Sequence, residues 1–291
     1  MFTASQLQLV SVGVDYLTVV GHSTESIDQM REIAFALMEV EISEGMFSRP
    51  LGFAGYEGFQ VGSVYYGERA DGCIVRVGGN LAAAHYQRLL KVSDNVTRID
   101  LQSTCRLEGN VSRFIRGLFT THKNYSNKFK RAPKPSLFIG RDESCTMYSG
   151  SRQSDRYGRI YDKGLESGLS QFQNCVRFEV EFKGKRARRL AYSLGQRVIK
   201  FSELSASVWS FFSNRGVLIK FRSVFSNSRE ILISSLSRAR TPDCARVLEW
   251  LQRSVRPSVS RLLHGGLLGS VRFALGLSVG TEQGAQVCAF P

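Results

Sequence analysis

Apolar positions recur along this chain with two different periods, and the switches between them mark out its elements. SVGVDYLTVVG (11–21) is β-branched and apolar and predicts a strand. Ser23 and Thr24 then offer an N-cap, with Glu25 and Asp28 near the first turn. Ile27, Met30, Ala34, Leu37 and Met38 follow at helical spacing, which predicts a helix over 25–44 closed by Gly45. Residues 51–80 are glycine-rich and aromatic; Tyr65 and Tyr66, then Cys73–Val77, predict strands of a meander turning at Ala70-Asp71-Gly72. In NVTRIDLQSTC (95–105), Ile99 and Leu101 take one strand face and Arg98, Asp100 and Gln102 the other. Residues 111–122 predict an amphipathic helix, 123–136 a basic, proline-containing loop, and 144–164 a two-stranded hairpin around Ser149–Asp155.

The stretch 174–190 predicts a strand running into a basic helix. Phe178, Val180 and Phe182 alternate there with Arg177, Glu179 and Glu181, so period two puts the charged three on one face. A further strand is expected at 217–223 and a helix at 243–264 with a break near Pro257. Long strands interspersed with helices indicate an α+β fold, mainly an antiparallel β-sheet with flanking helices.

Charge adds direction to this picture. The 291 residues carry 39 basic and 25 acidic side chains, net +14, which points to a polyanionic partner. Residues 1–100 are net −5, residues 101–200 net +13 and residues 201–291 net +6, so the polyanion is expected to meet the middle of the chain. The six cysteines form no C-x-x-C pair, which argues against a cysteine zinc site and suits a reducing cytoplasm. No basic residue precedes the first apolar run, and the tract 262–280 contains Arg272 and His264. Neither a signal peptide nor a membrane span is therefore expected. The glycines match neither dinucleotide nor P-loop patterns, which argues against nucleotide hydrolysis.

If the central strands share a sheet, one surface gathers Asp100, Glu179, Glu181, Arg159, Tyr161, Lys163 and Arg177. Carboxylates without histidine or thiolate are hard oxygen ligands suited to Mg²⁺ or Mn²⁺. A tyrosine beside them is a candidate nucleophile, and its ordinary pKa of about 10 calls for a nearby cation. Lys163, two residues on, is expected on the same strand face. Such a set suits phosphodiester transesterification. The same pattern also describes a solvated cross-strand ion-pair ladder with a packing tyrosine, and residue spacing alone leaves both open.

The segments MYSGSRQSDRYGRIYDKGLESG and VRFEVEFKGKRA resemble the replication initiation factors of rolling-circle plasmids and filamentous phages, the Rep_trans family. VDYLTVVG, VRVGGNLAA, RIDL and LEWLQRSVRPSVSRL agree with it in order. The resemblance implies an origin-binding enzyme, similar in fold to rolling-circle (HUH-like) nicking endonucleases. Such an enzyme cuts one strand, holds the 5′ phosphate on tyrosine and frees a 3′ hydroxyl primer.

It implies Tyr161 as nucleophile with Tyr157 in reserve, Asp100 and Glu179 as metal ligands with Glu181 and Asp162 behind them, and Lys163, Arg159 and Arg177 on phosphate oxygens. Strict alternation points Asp162 away from Tyr161. Two departures stand out: QSTC follows RIDL where many relatives have a second acid, and no paired-histidine motif is present. DNA is the expected partner, single-stranded at the nick, with a host helicase, room for a homodimer, no membrane, and the cytoplasm of a bacterium carrying the plasmid or phage. Residues 1–240 are the expected catalytic domain and 241–291 a C-terminal helical segment and tail. DNA-binding cations are expected at Lys123, Lys128, Lys130, Arg131 and Lys134, with Tyr125 and Phe129 interleaved, and at Lys185, Arg186, Arg188 and Arg189. A conjugative relaxase of the same family and a non-catalytic DNA-binding regulator are the competing functions.

Overall fold

The computed structural model describes residues 3–129, 133–141, 144–196 and 201–225, which belong to one compact unit, Met1–Ser234. Its centre is a ten-stranded sheet in which every pairing is antiparallel. The strands are β1 (Leu7–Gly21), β2 (Ser48–Phe53), β3 (Tyr56–Val61), β4 (Val64–Arg69), β5 (Gly72–Gly78), β6 (Asn95–Leu107), β7 (Pro135–Ile139), β8 (Cys145–Ser149), β9 (Arg156–Asp162) and β10 (Cys175–Lys183). Across the sheet they run β2-β3-β4-β5-β1-β6-β10-β9-β8-β7, so the last of the described strands lies between β6 and β9. The expected mainly antiparallel α+β architecture is what the structure shows.

Period two sorts the faces. Leu17, Ile99, Leu101, Phe178, Val180, Ile160 and Met147 point to one side and are buried. The long helices cover that side: α1 (Thr24–Ser43), α2 (Gly79–Val92), α3 (Val111–Lys128), α5 (Gly184–Gln196) and α6 (Phe201–Ser213). The short α4 (Lys163–Ser167) and α7 (Arg222–Phe225) complete the described helices. Gly158 lets α6 approach β9 closely: a Cβ there would meet Phe211 Cε1 at 2.3 Å and Phe212 Cε1 at 3.0 Å. Helix α1 begins as the pattern predicts, with the Ser23 side chain accepting from the Ser26 amide.

Three expectations change. The helix predicted over 111–122 runs on to Lys128, because its buried stripe Phe114, Ile115, Leu118, His122 and Ser126 continues and no proline intervenes before Pro133. Lys123, Tyr125 and Lys128 are therefore helical, not in a loop. The strand expected over 217–223 is a short 3₁₀ turn at Ile219–Phe221 leading into α7; Leu218 has φ 61°, which extended backbone excludes. Pro135 and Ser136, expected in the basic loop, open β7, and the pattern reading assigns nothing to 79–92, 137–139 or 201–213, where α2, the rest of β7 and α6 lie. The expected helix over 243–264, with the rest of 241–291, lies outside the described residues.

His122 is fully buried between two hydroxyls, with Nε2 2.7 Å from Ser149 Oγ and Nδ1 3.2 Å from Ser126 Oγ. Burial, with Arg215 nearby, holds its pKa below the ordinary value. The unfolded chain thus takes up a proton near pH 6.5 that the folded chain refuses, so this contribution to stability is lost as pH falls. We expect the wild-type Tm to drop between pH 7.5 and 5.5 more steeply than that of His122→Gln; parallel curves would show that His122 does not titrate this way.

Candidate active site

The face opposite the long helices is polar, and the strand register lays its residues in rows. One row is Thr104, Arg177, Tyr161 and Thr146; the next is Gln102, Glu179, Arg159 and Tyr148; the third is Tyr16, Asp100, Glu181 and Tyr157. Regular β9 puts Tyr157, Arg159 and Tyr161 on the same face, as expected. The acids of β6 and β10 and the tyrosines of β9 thus come together from segments that span positions 100 to 181 of the sequence.

Every acid in these rows meets a cation. Arg98 grips Asp100 with both limbs, Nε to Oδ1 at 2.8 Å and Nη2 to Oδ2 at 2.6 Å, and reaches Glu181 at 2.9 Å. Arg159 holds Glu179 the same way, at 2.5 and 2.6 Å. Lys183 pairs with Glu181 at 2.5 Å. Two-pronged, charge-assisted bonds of this kind fix geometry as well as charge. Asp100 and Glu179 are 1% and 2% exposed. Burial raises the Asp100 pKa to about 7 against the pull of Arg98, and Glu179 and Glu181 push in the same direction as burial. Burial likewise raises Glu179, against Arg159.

A cleft of about 250 Å³ opens over these carboxylates. Its floor is Asp100, Glu179 and Glu181, and Tyr148, Tyr157 and Arg152 stand around it. The Tyr148 and Tyr157 rings stack with centroids 5.8 Å apart, and Arg152 lies 5.8 Å over Tyr157. Tyr161 sits one row away and is 7% exposed. Burial pushes its phenol well above the ordinary value and Glu179 adds to this; Arg177, then Arg159, oppose it. Arg159 Cζ is 5.3 Å from the Tyr161 ring.

Not every expected residue joins. Lys163 is not on the strand face: β9 ends at Asp162, whose side chain accepts from the Leu165 amide and caps α4, and Lys163, its first residue, pairs with Glu166 at 2.5 Å. Asp162 turns away from Tyr161, as alternation requires. Lys185, Arg186, Arg188 and Arg189 ride on α5, and Lys123 and Lys128 on α3, both on the opposite side of the sheet. Lys134 lies just before β7, and Lys130 and Arg131 lie outside the described residues.

Arg98, Arg152 and Lys183 line the cleft without having been singled out for it, and Asp15 was missed altogether. Asp15 reaches the polar face through a β-bulge between Val14 and Tyr16, and its Oδ1 accepts from Arg177 Nη1 at 2.9 Å. The signal was legible: Leu7 and Leu9, Val12 and Val14, Leu17 and Val19 are pairs two apart, separated by steps of three, and each step of three requires one extra residue.

Buried carboxylates, guanidinium forks and tyrosines on an open sheet face can hold a phosphodiester and offer it an oxygen nucleophile. A family model described as replication initiation factor matches residues 95–265. This chain belongs to the replication initiation factor family. Among solved structures, the fold is similar to a rolling-circle replication initiator protein from Geobacillus stearothermophilus, with TM-score 0.50 and 19% identity over 70% of this chain and 84% of that one. No curated protein matches the sequence. The family match begins at β6, so it contains the three acids of the cleft floor and both tyrosines of β9 but not Asp15.

Proposed function

We propose that this replication initiation factor nicks one strand of its replicon's origin by transesterification, with Tyr161 as nucleophile. The observation that carries the reading is the row Thr104–Arg177–Tyr161 lying directly beside the row that holds Glu179 and Arg159. As the bond from Tyr161 Oη to phosphorus forms, the bond from phosphorus to the 3′ oxygen breaks. The phenol gives up its proton and the departing oxygen gains one, leaving a 5′ phosphotyrosine and a free 3′ hydroxyl. One phosphodiester replaces another, so the step is reversible and the strand can be rejoined. Arg177 and Arg159 favour the phenolate and hold phosphate oxygens. Tyr148 and Tyr157 flank the cleft where an unpaired nucleotide would lie.

The donor set fits a divalent ion. Asp100, Glu179 and Glu181 are oxygen ligands, and Asp100 is raised to about 7 in part by its acidic neighbours, a crowding that a cation relieves. They would hold Mg²⁺ or Mn²⁺, which would polarise the phosphate. Among the described residues no three acidic, histidine or cysteine side chains already converge as ligands. Arg98 and Arg159 now occupy Asp100 and Glu179, so the guanidiniums would turn outward, toward phosphate, as the ion enters.

The test mixes the protein with supercoiled DNA of its own replicon and Mg²⁺. Open circles with protein bound to the 5′ end are expected, chelation should stop their formation, and added Mn²⁺ should restore it. Asp100→Asn and Glu179→Gln should each lose activity by roughly 10²-fold or more; full activity in either would remove that residue from the site. DNA binding without nicking would instead make the chain a regulator.

A further inference from the structure

We infer that Asp15, on the bulge of β1, is a positioning residue for the reaction, acting through Arg177. This rests on the reading of Tyr161 as nucleophile. Arg177 stands directly opposite Tyr161 on β10 and is the cation that does most to favour its ionised form. Its long side chain has two fixed points. Nε donates to Thr104 Oγ1 at 2.9 Å on β6, and Nη1 donates to Asp15 Oδ1 at 2.9 Å on β1. The side chain is thereby tied to two other strands and is mostly buried. With Nε and one N–H of Nη1 engaged, Nη2 keeps both of its N–H groups for a phosphate oxygen.

The bulge is what makes this contact. In a strand of unbroken alternation, Val14 and Leu17 could not both face the core; one extra residue lets them do so while Asp15 and Tyr16 both present to the polar face. Tyr16 meets Arg98, whose Cζ is 4.4 Å from its ring, and Asp15 meets Arg177. The first strand therefore touches two of the site's arginines, Arg98 and Arg177, although it lies outside the segment matched by the family model. Asp15 works against ionisation of Tyr161 by its own charge. Its service is geometric: it keeps Arg177 extended, so that the guanidinium is in place before DNA arrives.

The test measures single-turnover formation of the covalent adduct on supercoiled DNA of the protein's replicon, together with DNA affinity and Tm. Asp15→Asn should slow the adduct by about 10–100-fold, the loss usual when a supporting partner is removed, with affinity and Tm unchanged. Asp15→Glu should recover part of the rate. On an Arg177→Lys background, Asp15→Asn should add little further loss, because the residue acts through the guanidinium. A wild-type rate in Asp15→Asn, an equal loss on both backgrounds, or a loss that follows Tm would each overturn the inference. If the wild-type protein itself forms no tyrosine adduct, the nicking reading fails first; an adduct in wild type with Asp15→Asn indistinguishable from it sinks this inference alone.

Discussion

Tyr161→Phe will bind origin DNA as wild type does and form no covalent adduct. The substitution removes one oxygen from a side chain whose ring is already packed beside Arg159, so the fold and the DNA-binding surface should persist. The rate should fall by on the order of 10⁴-fold or more, as expected when the attacking atom is deleted. Tyr157→Phe is the matched control. Its hydroxyl lies at the cleft wall, where Arg152 engages it, and its ring stacks on Tyr148, so Phe keeps the stack and should lose little. Mass spectrometry of the trapped adduct decides between them. A phosphotyrosine at Tyr157 would move the nucleophile two rows along the sheet, into the cleft, and leave Tyr161 as a packing residue.

The second large effect is on stability. Phe178 occupies the reverse side of β10, immediately behind Arg177 and Glu179, and is fully buried. Its ring meets Phe212 of α6 and Phe225 of α7 edge-on, with centroids 6.1 and 5.2 Å apart. Phe178→Ala deletes the ring from the point where α6 and α7 seat on the sheet, and surrounding side chains from three elements cannot all move in to fill the void. A loss of about 3–5 kcal/mol is expected. Chemical denaturation should show a lower midpoint, and nicking should fall with the folded fraction. An unchanged midpoint would mean that α6 and α7 contribute little to the sheet's stability.

These outcomes bear on how far a chain of this kind can be read before its structure. Strands β6, β9 and β10 were legible because one face is core and the other is not, so period two assigns Asp100, Tyr161 and Glu179 to one surface without any knowledge of pairing. Lys163 was misplaced because alternation does not announce its own end; the capping side chain of Asp162 does, and it looks like any strand residue until the helix after it is seen. The basic clusters show a different limit. Charge counted along a chain is not charge in space, and Lys123, Lys128 and the α5 cations ended behind the sheet. Similarly, five of the acids that make the first hundred residues negative, Glu25, Asp28, Glu32, Glu39 and Glu41, sit on α1, away from the site. The arginines that line the cleft come one at a time, Arg98 and Arg159 from strand positions and Arg152 from the turn before β9, and no local window gathers them.

Of the described strands, β10 is made last and lies in the middle. Until residues 175–183 leave the ribosome, β9 has no neighbour on its inner side, and the hairpins β7–β9 cannot join β1 and β6. Pairings this distant in sequence form slowly, because long loops must close before any contact rewards them. Arg177 and Glu179 follow Tyr161 by 16 and 18 residues, so a chain stalled short of β10 carries Tyr161 without its surroundings. If Tyr161 is the attacking residue, order of synthesis by itself withholds Arg177 and Glu179 from an unfinished chain.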